Sequence, residues 1–152
     1  MDDLRGLWHG KTTPKKNGEQ FNNIWVEGDL IHSGNRYYIH PLTNAVKVQN
    51  ELGRFIVMHE IVPSTLGECT GLHDKNGKLI FKGDVVLVNH PHNGTSIHEV
   101  IWDGYCWNLK GFYASCYDNP PLAFSEGTTY MTVIGNIHDN PELLKGEANE
   151  NV

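Results

Sequence analysis

Three histidines, His90, His92 and His98, come nearest to metal chemistry in type and spacing. In an extended segment His90 and His92 face the same side, and His98 would return beside them across a hairpin. Three imidazoles suit zinc and leave one coordination position open, which is the arrangement of a small metal-dependent enzyme. Against that reading stand Pro91 and the pair Asn93-Gly94, which favour a solvated loop. The loop is the expectation here, and no metal or cofactor is assigned.

The other reactive side chains give less. Cys69, Cys106 and Cys116 are an odd, widely spaced set with no Cys-x2-Cys pair. They form neither a disulfide framework nor a zinc knuckle. Cys69 would need a histidine as base, with His73 nearest in sequence, and no third orienting group is evident. His59-Glu60 lacks the helical His-Glu-x-x-His spacing. Asp74 and Asp84 sit beside Asn76-Gly77 and Gly83, so both read as turn residues rather than paired acid–base carboxylates. Gly67, Gly71, Gly77 and Gly83 are not followed by the helix and Lys-Ser/Thr of a nucleotide loop. No catalytic residue is assigned.

A binding surface is the stronger expectation. Trp102, Tyr105, Trp107, Phe112, Tyr113 and Tyr117 form a dense aromatic interval, and aromatics of this kind anchor protein interfaces. Trp102 and Trp107 are expected mainly to fill the core. Phe112, Tyr113 and Tyr117 precede Asn119-Pro120-Pro121 and are expected to form the interface. The rival is nucleic acid, held by an N-terminal basic face of Arg5, Lys11, Lys15, Lys16, Lys47 and Arg54 with stacking aromatics.

Charge weighs against that rival. The 152 residues hold 12 Lys+Arg and 18 Asp+Glu, a net charge of -6. Residues 1–66 and 67–88 each balance to zero, so the whole deficit lies in residues 89–152. A wholly basic nucleic-acid binder is excluded. At 39% hydrophobic the chain is globular in composition, and 16 glycines exceed the usual ~7%. Met1-Asp2-Asp3 opens without an apolar run, so no secretory leader is expected and the cytoplasm is the expected location. No apolar stretch is long enough to span a membrane.

The elements that must position these residues read as short strands between turns. Candidates begin near Leu4–Trp8, then Ile24–Ile31 with a break at Gly28, and Arg36–Ile39 after the turn Ser33-Gly34-Asn35. Residues 44–50 alternate, and Phe55–Val62 reads as one strand stopped by Pro63. Gly71–Lys78 is a polar hairpin loop with an Asn-Gly turn. Val85–Val88 is the clearest strand, with Asp84 expected to take backbone N–H groups at its start. Residues 96–102 and 105–112 flank Asp103-Gly104 as a two-residue turn, and Thr129–Ile137 is the last strand. Pro141–Leu144 makes one helical turn before an acidic tail. The fold expected is mainly β, with an N-terminal β subdomain (residues 1–66) packed on a C-terminal SH3-like small barrel (67–138), then the turn and tail (139–152).

Two blocks carry a family resemblance. Val62–Val86, which contains Thr70-Gly71-Leu72-His73-Asp74-Lys75-Asn76-Gly77 and ends on Gly83-Asp84-Val85-Val86, resembles the central signature of the YopX family of phage and prophage proteins. Val133–Leu144 (Val-Ile-Gly-Asn-Ile-His-Asp-Asn-Pro-Glu-Leu-Leu) resembles its C-terminal signature, and Trp25-Val26-Glu27-Gly28 its N-terminal strand. Glu68 and Cys69 stand where that pattern has glutamine and an aromatic residue. The resemblance spans roughly residues 5–145. It implies a mostly β fold with an SH3-like part and a phage or prophage origin, and it supplies no catalytic residue. The expected function is a non-enzymatic accessory protein that acts through protein contacts or self-association.

Overall fold

The computed structural model describes residues 6–14, 23–41, 48–49, 55–56, 58–90, 94–104, 106–111 and 130–145. They are mainly β. Twelve short strands follow one another: β1 (Leu7–Lys11), β2 (Trp25–Ser33), β3 (Arg36–Pro41), β4 (Val48–Gln49), β5 (Phe55–Ile56), β6 (His59–Ile61), β7 (Gly67–His73), β8 (Leu79–Phe81), β9 (Asp84–His90), β10 (Gly94–Trp102), β11 (Trp107–Leu109) and β12 (Met131–Asn136). A 3-10 turn, Pro63–Thr65, precedes β7, and residues 142–145 make a single helical turn. The chain divides into two compact units, Leu4–Glu68 and Cys69–Val152.

The first unit is an antiparallel meander that closes on itself. β1 pairs β2, β2 pairs β3, and β3 pairs β6. Gly67 and Glu68, the first residues of β7, pair with His9 and Trp8 on the free side of β1. The far end of β1 returns to β6: Thr12 bridges Ile61, Thr13 N–H donates to Glu60 O at 3.0 Å and Val62 N–H donates to Lys11 O at 2.9 Å. Ile39 and Ile61 are fully enclosed, each such burial stabilising by roughly 1.5–3 kcal/mol. Two threonine hydroxyls satisfy the backbone where ladders end. Thr65 Oγ1 accepts from Lys11 N–H at 2.8 Å while donating to Val62 O at 2.6 Å. The buried Thr12 Oγ1 accepts from Ile24 N–H at 3.0 Å.

The single strand expected over Phe55–Val62 is two strands. β5 pairs with β4, whereas β6 pairs with β3. The ladder between β3 and β6 runs from Tyr37–Ile61 to Ile39–His59. Two residues further lies Pro41, which has no N–H to offer a ladder.

The second unit is built on β9. β10 pairs along one side of it and β12 along the other, and β11 adds to β10, giving the order β11-β10-β9-β12. The remainder of β7 pairs with β8. Ile80, Val86, Val88, Val100, Leu109 and Met131 form the core, with Leu72, Trp107 and Val133 packed against it. Period-two alternation puts Val86 and Val88 on the inner face of β9. Gly83, at φ +90°, makes the corner before β9 and is tied from two directions, its N–H to Val100 O at 3.0 Å and its O from Ile137 N–H at 2.9 Å. Asp84 Oδ2 accepts from Phe81 N–H at 2.8 Å, the role read for it from sequence.

The β10–β11 turn differs from expectation. Trp102 faces Trp107 across the ladder, so residues 103–106 lie between the strands. Asp103 N–H donates to Cys106 O at 3.1 Å and Cys106 N–H to Asp103 Oδ1 at 2.9 Å. Asp103 therefore flanks the turn instead of occupying it. Its carboxylate takes the N–H that a backbone carbonyl would otherwise take.

Candidate functional site

The described residue that best fits a contact surface is Trp102, at the tip of the β10–β11 hairpin. Register places it opposite Trp107. The two indoles meet edge to face, with centroids 5.2 Å apart and planes at 71°, the arrangement their quadrupoles favour. Trp107 packs on the core of its unit, whereas Trp102 is 48% exposed. The expectation that both would mainly fill the core thus holds for Trp107 and fails for Trp102. At the last pair of a hairpin, one side of the ladder faces solvent. Asp103 follows directly, its Oδ2 accepting from Asn108 Nδ2 and from Cys106 Sγ, both at 3.4 Å.

His98 does not face an open metal position. It is buried on β10, with Nδ1 2.9 Å from Lys110 O and Nε2 2.7 Å from Ser96 Oγ. Both ring nitrogens already have protein partners, and the imidazole ties β10 to the chain just beyond β11. His90 pairs with Gly94 at the end of the β9–β10 ladder, and His92 lies outside the described residues. Among the described residues no group of three or more His, Cys, Asp or Glu side chains could hold a metal ion. His98→Ala is expected to lower stability by about 1–3 kcal/mol, since it strands Lys110 O and Ser96 Oγ. Chemical denaturation checks the loss, and the metal content of the purified wild type tests the zinc reading directly.

The carboxylates are structural. Asp74 is 6% exposed. Its Oδ1 accepts from Asn76 and Lys78 N–H, each at 2.9 Å. Its Oδ2 accepts from Val133 N–H, also at 2.9 Å, 59 residues along the chain. Lys75 N–H donates to Met131 O at 3.0 Å. The Asp74 loop thus covers the side of β12 that β9 does not use. Burial pushes the Asp74 carboxyl up, but the N–H groups of Val133, Lys78 and Asn76, together with the Lys78 ammonium, outweigh it and hold the group below its ordinary value. Neither signature block by itself gave notice of this link.

The cysteine reading finds no support. Cys69 is buried and its Sγ accepts from Gly71 N–H at 3.4 Å, while His73 is exposed. Phe112, Tyr113 and Tyr117, the expected interface, lie outside the described residues, as do Tyr105 and Cys116. Of the expected basic face only Lys11 is described, half-buried on β1; Arg5, Lys15, Lys16, Lys47 and Arg54 lie outside. Among the described residues no helix is long and apolar enough to cross a membrane.

Comparison with known proteins agrees with the signature blocks. The family profile described as YopX protein matches residues 18–145. Among solved structures, the chain is similar to protein EF1440 from Enterococcus faecalis, with 20% identity and a TM-score of 0.45, over 91% of this chain and 96% of that one. No curated protein matches the chain. The profile covers both signature blocks, with Asp74 in one and Val133 in the other; the chain belongs to the YopX family.

Proposed function

We propose that this protein is a non-enzymatic accessory protein of phage or prophage origin that works through protein contacts in the cytoplasm of a bacterial host. The observation that carries the reading is Trp102, a large indole held in solvent at a hairpin tip. Exposed aromatics on rigid hairpins are the side chains that protein interfaces favour. The groups that looked most capable of chemistry also support it, because Asp74, Asp84, His98 and Cys69 all spend polar atoms on backbone or neighbouring side chains. Self-association belongs to the same proposal, through strand edges left without a partner strand.

The fold proposed for residues 67–138 is an SH3-like barrel. Its support is the order β12-β9-β10-β11, in which a meander starts on β9 and the last strand returns to pair with the first. Residues 1–66 form the accompanying β subdomain in this proposal, and 139–152 the turn and tail. The first unit has the same kind of connectivity, with Gly67 and Glu68 returning to β1 after the 3-10 turn.

Phe112, Tyr113 and Tyr117 are proposed to extend the contact surface beyond Trp102. Affinity capture from phage-infected cells, with each of the three replaced by Ala, is expected to lose a defined partner that the wild type retains. Recovery unchanged in all three variants would sink that surface. Sedimentation of the purified protein over a concentration series tests self-association, and an unvarying monomer mass removes it.

A further inference from the structure

We propose that the Trp102–Trp107 tip, together with Asp103, docks a cationic side chain of a partner protein, arginine first. The proposal rests on the protein-contact reading above and names the chemistry of the partner. Trp102 is the most exposed of the large apolar side chains among the described residues, at 48%. A cross-strand clasp explains its contact with Trp107 but not the half of the indole left in water. Trp107 is fixed against the core, so the pair is presented on a rigid base.

Charge selects the occupant. The Asp103 carboxylate sits at the root of the exposed indole. The neutral donors Cys106 N–H and Asn108 Nδ2 fix its orientation and add no positive charge. Residues 89–138 carry Lys110 against Glu99, Asp103, Asp118 and Glu126, a net charge of -3. Such a surface repels a phosphate backbone and attracts a cation. Tryptophan is the strongest cation–π partner among the side chains, and a planar guanidinium can stack on the indole while donating to the carboxylate. An exposed aromatic beside an acidic group therefore fits arginine better than it fits a nucleic acid or an uncharged proline-rich segment.

The test uses the full chain and a blocked hexaarginine peptide at physiological ionic strength, read through the Trp102 indole N–H resonance. Wild type is expected to show a saturable shift. Asp103→Asn, which keeps an acceptor for Cys106 N–H, and Trp102→Leu are each expected to bind at least about fivefold more weakly. Circular dichroism of both variants establishes that they are folded. Equal binding by wild type and both variants would mark diffuse attraction to a chain of net charge -6 and overturn the proposal. A Trp102 response to octaproline but not to hexaarginine overturns the cationic partner and leaves the protein-contact reading standing. A response to oligothymidine alone overturns both.

Discussion

Asp74→Asn is expected to lower stability at pH 7 by about 2–4 kcal/mol, the cost of leaving a buried backbone donor against an amide N–H₂. The wild-type carboxylate divides its two oxygens among three N–H donors, Asn76 and Lys78 on one and Val133 on the other. An asparagine has one acceptor oxygen. Either the 74–78 loop or its tie to β12 must lose its partner. Asp74 is held below the ordinary carboxylate value, so its contribution is present above the unfolded value and is lost as pH falls through the lower folded one. The gap between wild type and Asp74→Asn should therefore be full at neutral pH and shrink on acidification. Urea titrations at pH 7 and at intervals below pH 4 measure it. A gap that stays constant with pH would show that charge on Asp74 is not the stabilising feature.

Gly28→Ala is expected to cost about 3 kcal/mol or more and to act on the first unit. Gly28 lies mid-strand, paired with Trp8 of β1 on one side and Pro41 of β3 on the other. A methyl group there would collide with the His40 carbonyl and stand 2.8 Å from Pro41 Cα. These are backbone atoms, so no side-chain rotation relieves the overlap; one of the two ladders must separate. Gly34→Ala is the comparator. It has open space around it but a φ of +60°, and should cost only about 1–2 kcal/mol. Thermal unfolding ranks the two, and hydrogen exchange should show protection lost first from β2 and β3 in Gly28→Ala. Equal costs at the two positions would refute the steric argument.

Much of the strand pattern was legible because its signals are local. β-branched and aromatic runs bounded by Gly, Asn and Pro located β2, β3, β9, β10 and β12. The local turn chemistry of Asp74 and Asp84 was also readable, since both residues bond to N–H groups within four residues. What was not readable lies farther along the chain. The division of Phe55–Val62 depends on which strand each half meets. The shift of the hairpin turn past Asp103 depends on the register that pairs Trp102 with Trp107. His98 looked like a ligand beside His90 and His92, yet its ring is taken by Lys110 and Ser96.

The sequence by itself determined the β class, the turns and the family, because short-range patterns and two signature blocks express them directly. Only the tertiary structure decided which side of each tryptophan met water and which groups kept polar atoms free for chemistry. Trp102 and Trp107 are five residues apart and alike in type, but one rests on a core assembled from distant strands and the other stands at its rim. Asp74 and Val133 are 59 residues apart, and nothing in either local segment specifies that a carboxylate in one will take the N–H of the other. Register and closure bring such pairs together, and they are properties of the assembled sheet.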